Sequence, residues 1–316
     1  MTTDDAIQAI TWTGFALCTL AFCGRVAIRI VCFRRPFLED YLMLASLIIL
    51  LGACVVIQLC VRYIYIMEDV GNGTTPIPPP TFMDDTTNGL RGFAAFMVMA
   101  YTGIWLIKVN FLLFFSRLGG NQFTGYRAFW WAVLVFNVGA GATAIGLIDF
   151  PCLLDPAEVI IAQCSGYEKM MASNRASIIS CSIDAVGDAL SETSFHLFFC
   201  FPSGLHWQKT TKLTDGNLLI VIIFPISILW GTRVSTQKKI ILSCLFSLVA
   251  FTIAVTIVRG SIFGGVYKSI TPDNVRSMNV TWIWFWFALE YIVGEFYIPS
   301  IFPQVMHLPL GAKLTA

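Results

Sequence analysis

The chain has 316 residues, of which 57% are hydrophobic and only 12% are charged, whereas a typical soluble domain has about 25% charged residues. Too little polar surface is available to cover a water-soluble particle of this size, which excludes an ordinary cytosolic enzyme and a disordered chain. The 20 Lys and Arg are balanced by 19 Asp and Glu for a net charge of +1, so we expect no nucleic-acid partner. The composition therefore predicts a protein whose partner is the lipid bilayer.

Apolar segments recur along the chain at the length that a membrane crossing needs, about 20 residues for a hydrocarbon core roughly 30 Å thick. Six segments are uninterrupted: Ile10–Val31, Tyr41–Tyr65, Phe93–Phe115, Ala128–Ile148, Ile240–Val258 and Thr281–Phe302. The fifth in chain order is broken into halves too short to cross alone, Ala176–Leu190 and Asn217–Trp230. Counted as one crossing, it completes an all-α, seven-helix membrane bundle that forms a single domain over residues 1–316.

Basic residues in the short connections predict the orientation, because Lys and Arg concentrate in cytoplasmic loops. With the N-terminus outside, most acids fall in the outer loops and the cytoplasmic loops carry Arg117, Arg127, Arg233, Lys238 and Lys239. We therefore expect the N-terminus outside and the C-terminus inside, which an odd number of crossings satisfies.

Two features of the predicted outer connections agree with this orientation. Asn72 begins an Asn-Gly-Thr glycosylation sequon between the second and third spans, and Cys152 and Cys164 both lie between the fourth and fifth. Glycans attach and disulfides persist on the outer side of a membrane. We expect Asn72 to be glycosylated and the two cysteines to be paired, with two unpaired loop thiols as the alternative.

Several short stretches follow one another in an order that is similar to a known family. They are Gly24–Arg29, Leu38–Tyr41, Trp105–Leu118, the Cys152 and Cys164 pair, Asp184 with Phe224–Ile226 and Leu229–Trp230, Lys238–Lys239, Val258–Arg259, Glu290 and Pro299. Each stretch is short, but together they cover nearly the whole chain. The chain resembles the fungal rhodopsin-domain integral membrane proteins, the Pth-eleven-like receptors of filamentous fungi. The resemblance implies a seven-helix plasma-membrane protein that acts as a sensor similar to a G-protein-coupled receptor.

In that family the fifth helix continues without interruption, so Ser191–Gly216 is an insert relative to the family pattern. One hypothesis is a retained intron, because Ser191–Glu192 can be encoded with a GTGAG donor and Thr214–Asp215 with a CAG acceptor. The rival is a re-entrant loop, which membrane proteins tolerate where it lines a cavity. Transcripts across this segment would decide between them.

Ionisable residues at membrane depth are costly and mark either a packing pair or a function. Lys108 lies in the third span, Asp184 and Asp188 lie four apart on one face of the fifth, and Glu290 lies in the seventh. At about 1.5 Å rise per residue, Asp188 is closest in depth to Lys108, with Glu290 and Glu295 as alternative partners. Three roles are open for this predicted polar network: it fixes the helix register, it forms a switch or lines a ligand cavity, or it lines an ion pathway.

Three arginines near the ends of spans, Arg25, Arg29 and Arg62, are expected to reach the lipid headgroups and to have no role beyond anchoring.

The absence of other motifs narrows the function. The seventh span has no Lys for a retinal Schiff base, and no histidine cluster, Walker loop or Gly-x-Ser-x-Gly elbow occurs. We expect no catalytic residue, no metal and no cofactor. The favoured function is a non-enzymatic, receptor-like sensor of an extracellular ligand that passes its signal to a cytoplasmic partner. The alternatives are a small transporter or channel that uses the intramembrane acids, or a membrane scaffold.

Overall fold

The computed structural model describes residues 3–34, 37–71, 80–119, 124–164, 166–200, 251, 254–258, 260–261 and 285–296. The helices that can be bounded are α1 (Thr3–Phe33), α2 (Leu38–Gly71), α3 (Phe82–Gly119), α4 (Thr124–Gly146), α5 (Pro151–Leu154), α6 (Ala157–Cys164) and α7 (Tyr167–Cys200). Residues 254–258 and 285–296 are also helical and are called segment 254–258 and segment 285–296 below. No strand occurs within these ranges.

Four of the described helices are long and apolar enough to cross a membrane, over Gln8–Val31, Leu38–Tyr63, Phe82–Leu113 and Arg127–Gly146. They confirm the first four predicted spans. The third is longer than predicted because α3 begins at Phe82 and takes Asp84 and Asp85 into its first turn, where negative charge complements the positive end of the helix dipole. The remaining spans are described only in part, so the count of seven stays a prediction.

The connection between α4 and α7 folds into the short helices α5 and α6. A disulfide joins Cys152 and Cys164, whose Cα atoms are 5.8 Å apart, and this confirms the predicted pairing. The connection is held to α3 by two hydrogen bonds. Arg91 Nε donates to the Leu154 carbonyl at 3.1 Å, and the Ala157 amide donates to Thr87 Oγ1 at 3.1 Å. The disulfide and α3 thus fix this connection at one end of the bundle.

The predicted bounds of the broken fifth span need correction. Helix α7 begins at Tyr167 and continues without interruption through Leu190 and Ser191 to Cys200, rather than running from Ala176 to Leu190. The physical reason is that residues 191–200 contain neither Pro nor Gly, so nothing in their sequence ends the helix. Whether Ser191–Gly216 is an insert remains the same hypothesis, and most of that segment lies outside the described residues.

The core lies mainly between α2 and α3, which share the most extensive packing contact. Segment 285–296 approaches the other helices through glycines, as small residues allow helix backbones to come close together in membranes. A Cβ atom at Gly14 of α1 would lie 2.6 Å from Ile292, and one at Gly103 of α3 would overlap the ring of Tyr291. These close approaches bring segment 285–296 against both α1 and α3.

Candidate polar site in the helix bundle

Lys108 lies on α3 and is buried, with 7% of its surface exposed. Its Nζ is 2.5 Å from Asp184 Oδ1 and 2.8 Å from Asp188 Oδ1, both on α7, and 3.2 Å from the Asp184 backbone carbonyl oxygen. The two aspartates are one turn apart and therefore share a helix face. A single ammonium group thus bridges two consecutive turns of α7.

An aromatic ring contacts Lys108, and a hydrogen bond joins the same two helices earlier on α3. The ammonium lies 4.8 Å from the centre of the Trp105 ring, within the range of a cation–π contact. About two turns earlier on α3, Tyr101 OH accepts a hydrogen bond at 3.0 Å from Ser180 Oγ of α7. This bond joins the same two helices, α3 and α7, about two turns from Lys108 along α3.

Two further segments reach the same group of residues. Thr256 Oγ1 of segment 254–258 donates to Asp184 Oδ2 at 3.4 Å. Glu290 of segment 285–296 is buried and interacts electrostatically with Lys108. We call Lys108, Asp184, Asp188 and Glu290 the Lys108 cluster. Lys108 thus contacts Asp184 as well as the predicted Asp188, and that the four residues act as one network stays a prediction.

Helix α4 contributes a buried amide to the same layer. Asn137 is fully buried, and its Nδ2 donates to the Val133 carbonyl of its own helix at 2.9 Å. Its Oδ1 lies against Gly187 of α7, since a Cβ atom built there would be 3.3 Å from that oxygen and 3.4 Å from the Trp105 ring. Among the described residues this oxygen has no hydrogen-bond donor. The sequence analysis did not identify Asn137.

Glu295, predicted as an alternative partner of Lys108, lies in a different place. Its Oε2 accepts a hydrogen bond at 2.8 Å from Ser46 Oγ of α2, and Tyr291 OH donates to the Ser46 carbonyl at 2.6 Å. These bonds tie segment 285–296 to α2, whereas Glu290, five residues earlier, belongs to the Lys108 cluster. The two buried acids of this segment thus belong to two separate polar groups.

Arg25 and Arg29 do not reach the lipid headgroups, so that expectation is wrong. Both are buried and paired with Glu39 and Asp40 at the start of α2. Arg29 Nη1 is 2.7 Å from Asp40 Oδ2, Arg29 Nη2 is 2.7 Å from Glu39 Oε2, and Arg25 Nε is 3.1 Å from Asp40 Oδ1. We call these four residues the arginine quartet. The physical reason is that the short α1–α2 connection places both acids within bonding distance of the arginines, so the guanidinium groups pair inside the protein.

The arginine quartet also caps the start of helix α2. The Phe37 amide donates to Asp40 Oδ2 at 3.0 Å, which satisfies a backbone donor at the helix N-terminus. The Arg29 guanidinium lies 4.9 Å from the centre of the Phe37 ring. The sequence carries a signal for this pairing, because two arginines four residues apart precede an acidic pair. Arginines near a helix end also commonly extend to the headgroups, so the pattern alone does not decide between the two arrangements.

The other predicted residues are placed as follows. Arg117 lies in the last turn of α3, and Arg127 is exposed near the start of α4. Asn72, Arg233, Lys238 and Lys239 lie outside the described residues. Arg117 and Arg127 therefore flank the same α3–α4 connection.

The described part of the chain is all-helical, with several apolar helices and buried ion pairs between them, as in a membrane protein. A model of the fungal rhodopsin domain matches residues 24–297, which is most of the chain. The protein therefore belongs to the fungal rhodopsin domain family, as the sequence motifs indicated. Neither a curated protein nor a solved structure matches the chain.

Proposed function

We propose that the protein is a non-enzymatic, receptor-like sensor of the plasma membrane. In this proposal seven helices cross the bilayer with the N-terminus outside and the C-terminus inside. An extracellular cue changes the packing around the Lys108 cluster, and the cytoplasmic connections that carry Arg117, Arg127, Arg233, Lys238 and Lys239 present the change to a signalling partner. No cofactor takes part.

The observation that carries the proposal is that Lys108 joins several helical segments through one ammonium group. It bonds both aspartates of α7, Thr256 of segment 254–258 bonds one of them, and Glu290 of segment 285–296 acts on the same charge. A small shift of any of these segments changes the distances to a buried charge. Buried charges are stable only in good geometry, so such a group favours discrete arrangements over continuous deformation.

The same arrangement supports a sensor over a transporter. Asp184, Asp188 and Glu290 all act on one lysine. An ion pathway needs successive polar sites, whereas acids that share one counter-ion couple the segments that carry them. Gradient-driven ion flux through the purified protein in liposomes, abolished by Asp184→Asn, would support the transporter instead.

The test compares matched lysine variants in cells that lack the endogenous gene. Wild type, Lys108→Met and Lys169→Met are expressed, and the transcriptional response to candidate cues is divided by surface abundance. Lys169 is a suitable control because its side chain is 53% exposed and its Nζ forms a long ion pair with Asp149 Oδ2 at 3.7 Å. We expect Lys108→Met to make the response independent of the cue, while Lys169→Met responds like wild type.

Loss of Lys108 also destabilises the fold, so Asp188→Asn serves as a second variant that keeps the lysine paired with Asp184. It too should alter the cue response at normal surface abundance. If both variants reach the surface and respond like wild type, the Lys108 cluster is not the switch and the proposal fails.

A further inference from the structure

A groove with a volume of about 370 Å³ lies between α1 and segment 285–296. One wall is the face of α1 that carries Ala9, Thr13 and Leu17, and the other is the face of segment 285–296 that carries Ala288. Buried Ile57 of α2 also lines it, and nearly all of the lining atoms are apolar. Pockets that hold small molecules have volumes of about 300–1,000 Å³. The groove is therefore large enough to hold a small apolar group.

Contacts on two sides keep segment 285–296 from moving in to close the groove. The segment already touches α1, since a Cβ atom at Gly14 would lie 2.6 Å from the Ile292 side chain. Towards α2, Tyr291 OH donates to the Ser46 carbonyl at 2.6 Å, and Ser46 Oγ donates to Glu295 Oε2 at 2.8 Å. A space that stays empty loses the packing contacts of the atoms that line it. The groove is therefore better filled than empty.

The groove is continuous with the surface that α1 presents to the bilayer. Ile10 and Leu17 line the groove and are 52% and 47% exposed. Both lie within the apolar crossing Gln8–Val31, where the surrounding medium is hydrocarbon and not water. Lipid can therefore enter the groove directly from the bilayer.

The length and depth of the groove match one lipid chain. From Ala9 to Leu17, α1 rises about 12 Å at 1.5 Å per residue, and one leaflet supplies about 15 Å of a hydrocarbon core roughly 30 Å thick. Ala9 is the second residue of the crossing that begins at Gln8. The groove therefore begins near one membrane surface and ends near the middle of the bilayer, which is the depth range of an acyl chain in that leaflet.

A helix from a second copy of the chain is too wide for this groove. One turn of an α-helix, 5.4 Å long and about 10 Å in diameter with its side chains, fills about 400 Å³, which exceeds the volume of the whole groove. A flexible chain of methylene groups is thinner. The apolar lining also offers almost no partner for a polar ligand, so the occupant that fits is hydrocarbon.

We propose that the groove between α1 and segment 285–296 is a lipid-binding site that holds one acyl chain of a membrane phospholipid. The bound chain packs between the two elements in place of protein side chains. It thereby supports the position of segment 285–296, which also carries Glu290 of the Lys108 cluster. This inference does not rest on the proposed function, because a lipid chain can occupy the groove whether or not the protein signals.

The direct test is photo-crosslinking of the full-length protein in nanodiscs that contain a phosphatidylcholine with a diazirine in its acyl chain. Mass spectrometry of the peptides should find several-fold more label on residues 9–17 and 285–292 than on the exposed face of α4. Ala288→Phe fills the groove and should lower that labelling several-fold. Ala142→Phe, the same change at an exposed position of α4, should leave it unchanged. Equal labelling of the groove and of α4, or labelling that Ala288→Phe does not lower, would overturn the proposal.

A second variant and a stability measurement give an independent readout. Ala9→Phe fills the groove from the α1 side and replaces Ala288→Phe if that variant fails to fold. Phosphatidylcholine added to the protein in detergent should raise the thermal midpoint Tm of wild type and of Ala142→Phe by a few degrees, on the scale of one bound ligand. The rise should be smaller in both groove variants.

Two outcomes of these experiments would contradict the choice of site or of occupant. An equal rise of Tm in all of the proteins would mean that lipid acts on the bundle as a whole and not at the groove. Labelling of the groove by a sterol probe, but not by the phospholipid probe, would identify a sterol as the occupant and contradict the proposed acyl chain.

Discussion

The arginine quartet and the Lys108 cluster are both groups of four buried ionisable residues, but they join different parts of the chain. The quartet sets two guanidinium groups against two carboxylates across the α1–α2 turn. In the Lys108 cluster, an ammonium group on α3 meets two acids on α7 and one on segment 285–296. The quartet therefore braces two helices that follow one another in the chain. The Lys108 cluster links segments that are far apart in the sequence, so a shift of any of them changes its geometry.

The largest effect should come from removing the lysine of the Lys108 cluster. Lys108→Met leaves Asp184 and Asp188 buried without their cation, which should lower the free energy of unfolding by about 3–5 kcal/mol. Thermal unfolding in nanodiscs measures this, with Lys169→Met as the exposed control, expected within about 1 kcal/mol of wild type. A Lys108→Met protein as stable as the control would show that the cluster contributes nothing to stability.

A smaller effect should follow from separating the segments that meet at the Lys108 cluster. Gly103→Ala places a methyl group into the Tyr291 ring and pushes segment 285–296, with Glu290, away from α3. Overpacking of this kind costs about 1–3 kcal/mol. Gly139→Ala is the control, because a Cβ atom there meets nothing within 4 Å. Equal stability of the two alanine variants would contradict the close packing of segment 285–296 on α3.

A change of side-chain shape without a change of charge should affect the arginine quartet. In Arg29→Lys the charge stays, but an ammonium group cannot reproduce the fork that bonds Glu39 and Asp40 at 2.7 Å each. We expect a loss of about 1–2 kcal/mol, the scale of one charge-assisted hydrogen bond. Arg62→Lys, on an exposed position of α2, should change stability little. A harmless Arg29→Lys would mean that the quartet needs charge alone.

Much of the fold could be predicted from the sequence because membrane thickness sets the length of each apolar run. The first four spans and the Cys152 and Cys164 pair follow from hydropathy and loop position. The ends of α7 could not be predicted, since its serines and charges dilute the apolar signal while its backbone stays helical to Cys200.

The Lys108 cluster could be predicted as a set but not in its pairing. Depth estimates place Cα atoms, whereas a lysine side chain points back toward the N-terminus of its helix. Lys108 therefore reaches Asp184 as well as Asp188. Glu295 is close in sequence to Glu290, yet it bonds Ser46, because the faces of segment 285–296 that meet α2 and α3 depend on packing that no single-sequence pattern shows.

Matched aspartate variants of the two groups test the central claim, that both arginines of the quartet share Asp40 whereas Lys108 keeps a bonded acid without Asp188. The measurement is the Tm of Asp40→Asn and Asp188→Asn at neutral pH. Asp40→Asn removes the charge that Arg25 and Arg29 both bond and should cost about 2 kcal/mol, seen as a fall of several degrees. Asp188→Asn leaves Lys108 paired with Asp184 and should change stability by less than about 1 kcal/mol in either direction. Equal losses in both variants, or a larger loss in Asp188→Asn, would contradict the claim.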